Sequence, residues 1–125
     1  MCGITGLVNL QGYDISPSLL KLMTNAIGHR GPDGEGSWIN KNIGLGHRRL
    51  SILDLSDNAK QPMVSSDGTL VLSYNGEIYN FQELRSELQR FGYKFSSSSD
   101  TEVLLYAFHK WGVNSFLRLN GMFAL

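Results

Sequence analysis

The sequence predicts an α+β fold, a mixed sandwich in which strands dominate the first half and alternate with helices in the second. Short apolar runs bounded by turn residues are typical of strands, and three longer segments place their apolar residues on one helical face. At 125 residues, the chain amounts to one domain at most and is large enough to bury a core.

Composition narrows the classes of function. Apolar residues make up 42% of the chain, and 11 basic residues balance 11 acidic ones. The zero net charge gives no electrostatic case for a nucleic-acid or membrane partner. One cysteine cannot form an internal disulfide, and the longest apolar run, residues 103–108, is too short to cross a bilayer. We therefore expect a cytoplasmic protein. Its three histidines lie far apart, so no metal site is predicted.

The first half begins with a predicted buried strand over residues 3–10. Ser16 followed by Pro17 is typical of a helix start, and Gly28 is a plausible stop for that helix. The next eight residues, 29–36, are rich in turn formers and charge and predict a loop.

Three further strands are predicted in the middle of the chain. They span residues 37–40, 43–50 and 69–74, and Asp67-Gly68 is a hairpin signal just before the last of them.

The second half alternates between helices and strands. Asn80 is predicted to cap a helix with its apolar face at Phe81, Leu84, Leu88 and Phe91. A short strand over residues 93–95 follows, and Ser99-Asp100-Thr101-Glu102 matches a capping box that opens a third helix. Residues 120–125 look like the start of another strand, so we expect a fragment that is incomplete at its C-terminal end.

The main candidate for chemistry is Cys2. If Met1 is removed, this residue carries a thiol and a free α-amine on the same carbon. Free thiols titrate near ~8.5 and α-amines near ~8, so the amine can serve as the base for its own nucleophile. The alternative is that Cys2 is a small buried hydrophobic residue, as lone cysteines often are.

Asn75-Gly76 is a candidate oxyanion hole. The Asn amide and the unhindered Gly N–H could together stabilise a developing negative charge. The same dipeptide is a common tight turn, and these two residues alone favour the turn.

Three charged features could recognise a ligand. Arg48 and Arg49 are adjacent on a predicted strand, so their side chains point to opposite faces of the sheet. The guanidinium of either one could bind a carboxylate. Asp100 could complement the dipole of its helix or hold an ammonium group. An arginine and an aspartate together would recognise an α-amino acid. The loop at residues 29–33 is interpreted as structural rather than as a rim over the site.

Six motifs stand in order along the whole chain. They are Cys2-Gly3-Ile4, His29-Arg30-Gly31-Pro32-Asp33-Gly34, Arg49-Leu50-Ser51-Ile52-Leu53-Asp54, Asn75-Gly76-Glu77-Ile78-Tyr79-Asn80, Ser99-Asp100-Thr101-Glu102 and Gly121-Met122-Phe123-Ala124. In this order they resemble the glutaminase domain of glutamine-hydrolysing asparagine synthetases, which are class II (type 2) glutamine amidotransferases. The resemblance implies an N-terminal-nucleophile hydrolase fold, a four-layer αββα sandwich, here C-terminally truncated.

The resemblance also implies roles for individual residues. Cys2 would attack the side-chain amide of glutamine, with Asn75 and Gly76 as the oxyanion hole. Arg49 would bind the substrate α-carboxylate. The α-ammonium would be held by Glu77 and Asp100, and the pocket would be lined by the backbone of four consecutive residues, Leu50, Ser51, Ile52 and Leu53.

The family also sets expectations for partners. Ammonia would pass to a C-terminal synthetase domain, absent from this sequence, that uses ATP and Mg²⁺ to convert aspartate to asparagine. No cofactor is expected in this segment, and a homodimer is possible. Two alternatives stay open: the same glutaminase serving another acceptor, such as a sugar or peptide of surface-polysaccharide biosynthesis, and a non-catalytic module of the same fold. The isolated fragment is expected to have weak activity or none.

Overall fold

A computed structural model describes residues 2–51, 54 and 56–125 and confirms the α+β class. The described residues form seven strands: β1 (Gly3–Val8), β2 (Gly34–Asn40), β3 (Ile43–Arg49), β4 (Met63–Val64), β5 (Val71–Leu72), β6 (Asn75–Ile78) and β7 (Gly121–Ala124). The α-helices among them are α1 (Pro17–Ala26), α2 (Phe81–Arg90) and α3 (Asp100–Trp111), and short 3₁₀ segments cover Gly28–Arg30, Asp57–Ala59 and Gly112–Arg118.

The largest sheet is antiparallel, with β3 between β1 and β2. Side chains along β3 alternate between its two faces. Gly46 faces α1, where an added Cβ would lie 2.2 Å from Thr24 Oγ1, so glycine lets the helix approach the sheet closely. His47 faces the opposite way, with Nδ1 3.3 Å from Ser73 Oγ.

The arrangement has four layers. Helix α1 covers one face of the three-stranded sheet, and the strand pairs β4–β5 and β6–β7 lie beyond its other face. The layers are joined where Ser73, between β5 and β6, donates a hydrogen bond to the Gly46 carbonyl at 3.3 Å. Helices α2 and α3 pack together, and α3 contacts β4 and β5. This order, helix–sheet–sheet–helix, agrees with the αββα sandwich that the resemblance implies.

The apolar core lies mainly between the second strand layer and the helices α2 and α3. Its most completely buried members are Ile78, Leu88, Val103, Leu104 and Ala107. The predicted apolar face of α2 is correct for Leu84 and Leu88 but wrong for Phe91, which is 53% exposed. Phe91 lies past the last helical residue and packs edge-on against Trp111.

Of the three predicted N-cap residues, two cap their helices with a side-chain hydrogen bond and one does not. Ser16 Oγ accepts the Leu19 N–H, and Ser99 Oγ accepts the Glu102 N–H, so both predicted N-caps are confirmed. Asn80 occupies the cap position of α2, but its side chain makes no capping bond. It instead bridges to the distant C-terminal segment, accepting the Asn120 N–H at 2.9 Å.

Three further expectations can be compared with the structure. The hairpin turn at Asp67-Gly68 joins β4 to β5, and Gly68 has a positive φ of 72°. The strand predicted over residues 93–95 is wrong, because these residues form no strand. Gly28 does not simply end the first helix; it begins a 3₁₀ turn directly after it.

Shortening a leucine side chain in the core should destabilise the fold far more than the same change on the surface. Leu88 has 0% exposure, so Leu88→Ala should lower the free energy of unfolding by about 2–5 kcal/mol through lost burial and a cavity. Leu10 is 93% exposed, and Leu10→Ala should change stability by less than about 0.5 kcal/mol. Urea denaturation of both variants measures this difference. Equal effects would show that the core does not lie where α2 and α3 meet.

Candidate active site

A cavity of about 180 Å³ lies where β1, β3, β6 and the start of α3 converge. Its lining includes all the site residues proposed from the sequence that the structure describes: Cys2, Arg49, Leu50, Ser51, Asn75, Gly76, Glu77 and Asp100. The two remaining pocket residues, Ile52 and Leu53, lie outside the described residues. Residues far apart in the chain therefore meet at one place.

The Cys2 thiol is half-buried and lies against the backbone of one residue, Leu50. Its sulfur accepts the Leu50 N–H at 3.3 Å and lies 3.6 Å from the Leu50 carbonyl oxygen. Cys2 immediately precedes β1, and Leu50 immediately follows β3, so the pairing of these strands brings the two residues together. The lone cysteine is thus a cavity residue, not a core hydrophobe.

The loop at residues 29–33 holds the backbone around the thiol. Arg30 Nε donates to the Cys2 carbonyl at 3.0 Å, and Asp33 Oδ2 accepts the Ser51 N–H at 2.8 Å. Gly31 approaches β3 so closely that an added Cβ would be 2.4 Å from the Arg48 carbonyl. These contacts support the interpretation of the loop as structural. Sequence reasoning had no signal that Arg30 and Asp33 contact the site's backbone.

The structure decides which arginine faces the cavity. Arg48 points toward α1, where its Nε donates to the Thr24 carbonyl at 3.2 Å, and it pairs with Glu35 at 3.0 Å. Arg49 points the other way, into the cavity. Its guanidinium donates to the carbonyl oxygens of Asp54 and Ser56, which orient the group, and its other N–H bonds have no partner among the described residues.

Asn75 and Gly76 lie inside strand β6 rather than in a tight turn, so the turn interpretation is wrong. They pair with Ala124 and Phe123 of β7. An added Cβ on Gly76 would lie 2.4 Å from the Met122 carbonyl, so this close pairing requires glycine. The Asn75 carboxamide lines the cavity and makes no side-chain hydrogen bond to other described residues.

Asp100 is 5% exposed at the start of α3. Its Oδ2 accepts the Tyr74 hydroxyl at 2.8 Å and the Ile78 N–H at 3.1 Å. Burial, reinforced by the negative charge of Asp100, raises the pKa of Tyr74 well above its usual range, so the tyrosine remains a donor. Sequence reasoning missed Tyr74 because an aromatic residue beside a strand signals only packing.

A second carboxylate joins two loops beside the cavity. Asp54 Oδ2 accepts the Ser98 N–H and Asp54 Oδ1 accepts the Ser56 N–H, each at 2.8 Å. Hydrogen bonding from the Ser56 side chain, which contributes most, and from the Ser98 and Ser56 N–H groups holds the pKa of Asp54 below its usual range. Asp54 thereby links the segment after Arg49 to the serine-rich loop before Asp100.

The helices of the described residues lack the length and apolar character needed to cross a membrane. Within the same part of the chain, no group of three or more His, Cys, Asp or Glu side chains is placed to hold a metal ion.

The fold is shared with a solved amidotransferase. A glutamine phosphoribosylpyrophosphate amidotransferase from Bacillus subtilis superposes with a TM-score of 0.75 over 97% of this chain and 34% of that one, at 23% identity. The four-layer sandwich, with a cysteine immediately before its first strand, therefore has the N-terminal-nucleophile amidotransferase fold.

The family follows from sequence similarity. A family model described as a glutamine amidotransferase domain matches residues 1–125, and the chain belongs to that family. Two asparagine synthetases (glutamine-hydrolyzing) of Bacillus subtilis, numbered 1 and 2, are 43% and 39% identical to it over 99% and 100% of its length. The chain spans 20% and 17% of those two proteins, or about a fifth of their length. These matches confirm the resemblance to the glutaminase domain of asparagine synthetases.

His47 is a buried titratable residue on β3, close to the site. It is fully buried two residues before Arg49, and its Nε2 has no hydrogen-bond partner among the described residues. Burial, followed by the positive charge of Arg49, lowers its pKa from 6.5 to about 4.

The stability of the fold should therefore depend on pH through His47. Because the folded-state pKa lies below the unfolded value, the contribution is full above pH 6.5 and is lost as pH falls toward 4. Between pH 7.5 and 5, unfolding free energy should fall by about 2 kcal/mol more than in a His47→Gln variant. Urea denaturation at both pH values measures this. Parallel pH dependence in the two proteins would contradict the neutral, buried state of His47.

Proposed function

We propose that this chain hydrolyses the side-chain amide of glutamine, with Cys2 as an N-terminal nucleophile after removal of Met1. The observation that carries the proposal is that one cavity joins a thiol, a strand carboxamide, an arginine and a buried aspartate. This set supplies a nucleophile, an oxyanion donor and opposite charges for the two ends of an α-amino acid.

The chemical steps use groups of this chain and water. The Cys2 α-amine accepts the thiol proton as the sulfur attacks the amide carbon, and the oxyanion is stabilised by the Asn75 amide and the Gly76 N–H. The same amine then protonates the departing nitrogen, so ammonia leaves and a γ-glutamyl thioester remains. Water cleaves the thioester, which releases glutamate and restores the thiol.

Substrate recognition is assigned to the charged residues of the cavity. Arg49 binds the α-carboxylate, because two backbone carbonyls orient its guanidinium and the described residues leave further N–H bonds for a ligand. Asp100 and Glu77 hold the α-ammonium. Backbone groups of Leu50 and Ser51 line the pocket, and the same role for Ile52 and Leu53 stays a prediction from the family resemblance.

The ammonia acceptor is proposed from the relatives. Both asparagine synthetases carry about four fifths of their length outside the matched region. We infer that the full-length protein joins this domain to a synthetase domain that uses ATP and Mg²⁺ to form asparagine from aspartate. The names of these relatives support this choice of acceptor.

Replacement of the nucleophile in the full-length protein tests the proposal. Cys2→Ala should abolish release of glutamate from glutamine, because no thioester can form. Asparagine formation from added ammonia should persist, because that step does not need the thiol. Both products can be measured by amino-acid analysis.

Two results would contradict the proposal. One is unchanged glutamine hydrolysis by Cys2→Ala, which would exclude the thiol. The other is an intact mass showing that the active protein retains Met1, which would exclude the free α-amine. Loss of the glutaminase together with retained ammonia-dependent synthesis would separate a catalytic defect from misfolding.

The oxyanion donor has its own test. Asn75→Ala should reduce kcat for glutamine about 100- to 1,000-fold with little change in KM, because the carboxamide acts on charge that develops during attack. Asn114→Ala, at an exposed position after α3, is the matched control and should leave both constants unchanged. Steady-state kinetics would oppose the assignment if the two variants behaved alike.

A further inference from the structure

A closed ring, made of three hydrogen bonds and the peptide link between Asp100 and Thr101, connects four residues in the wall of the cavity: Gln61, Tyr74, Asp100 and Thr101. Tyr74 OH donates to Asp100 at 2.8 Å, and Gln61 Oε1 accepts the Tyr74 N–H at 2.6 Å. Gln61 Nε2 donates to Thr101 Oγ1 at 3.4 Å, and Thr101 follows Asp100 in the chain. All four residues are at most 8% exposed. Buried polar groups that satisfy one another in this way are held in a defined arrangement.

The ring determines which oxygen of Asp100 is available to a ligand. Oδ2 already accepts two hydrogen bonds, from the Tyr74 hydroxyl and the Ile78 N–H. Oδ1 accepts none from the described residues, although Asp100 lines the cavity. With both donors on one oxygen, rotation of the carboxylate is restricted, and Oδ1 remains the acceptor for a bound cation.

The ring also connects the two ends of the proposed substrate site. Tyr74 directly precedes Asn75, the proposed oxyanion donor. The N–H of Tyr74 is bonded to Gln61 and its hydroxyl to Asp100. The distance between Asn75 and the carboxylate of Asp100 is therefore set by one residue, Tyr74, which is joined to Asn75 by a peptide bond and to Asp100 by a hydrogen bond. Correct spacing of such groups is a main source of discrimination between similar substrates.

We propose that Tyr74 is a positioning residue that gives the site its preference for amides bearing an α-ammonium, by holding Asp100 with one oxygen toward the substrate. The proposal rests on the glutaminase function proposed above. Tyr74 itself does not bind substrate in this account. It acts through Asp100, and Gln61 supports it from the other side of the ring.

The test compares two substrates with one variant of the full-length protein. Glutamine is compared with 4-carbamoylbutanoate, which has the same chain and amide but lacks the α-amino group. Tyr74→Phe removes only the hydroxyl. We expect the preference for glutamine, as the ratio of kcat/KM values, to fall about tenfold, mainly through a higher KM for glutamine. The kcat/KM for 4-carbamoylbutanoate should be unchanged.

Tyr93→Phe is the matched control. It removes a tyrosine hydroxyl that makes a hydrogen bond of 2.8 Å to His109, away from the cavity. This variant should keep the preference of the unmodified protein. Thermal unfolding of both variants should show whether they are equally well folded.

Several results would overturn the proposal. An equal loss of kcat/KM on both substrates would mean that Tyr74 only supports the fold, and an unchanged preference would mean that its hydroxyl is dispensable. If Tyr74→Phe did not fold, Gln61→Met would test the same ring, and an unchanged preference there would also count against it. Failure of the unmodified protein to hydrolyse glutamine would instead refute the proposed function.

Discussion

The antiparallel pairing of β1 with β3 is the constraint on which the site depends. Its register places Gly3 opposite Arg48, so Cys2 lies beside the end of β3, against the Leu50 peptide. A shift by one residue would turn every side chain of β1 to the other face. The thiol would then point toward α1 instead of into the cavity. The register is supported by close contacts at glycines, where the sheet has no room for a side chain on the α1 face.

A second constraint is that buried carboxylates need hydrogen-bond donors. An unpaired carboxylate is costly to bury, and the two buried ones, Asp100 and Glu102, each accept two or more hydrogen bonds. Glu102 shows the principle most fully, because it accepts N–H and hydroxyl bonds from both Ser96 and Ser97. The serine run before α3 is thus a set of donors that fixes the start of the helix, and with it Asp100.

Local patterns in the sequence were sufficient for much of the fold. The N-caps at Ser16 and Ser99 and the hairpin at Asp67-Gly68 are set by neighbours in the chain, and they were predicted correctly. Asn75-Gly76 was ambiguous, because its strand conformation depends on pairing with β7 about fifty residues later. The side chain of Asn80 was misassigned for a related reason, since its partners lie near β7.

The site, like the fold, contains some residues that the sequence alone reveals and others that only the structure reveals. Cys2, Arg49 and Asp100 are recognisable in the sequence because their chemistry is distinctive and because they belong to motifs that occur in a fixed order. Tyr74 and Gln61 carry no such signal. Their contribution exists only as contacts between residues distant in sequence, which a single sequence does not reveal.

The central claim is that the mature chain begins with a reactive cysteine in a glutamine-binding cavity. Treatment of the full-length protein with a glutamine-like electrophile, followed by peptide mass spectrometry, tests it most directly. We predict one adduct, on a Cys2 that is the first residue of the chain, and protection by excess glutamine. An unmodified Cys2 in well-folded protein, or labelling that glutamine does not slow, would contradict the account.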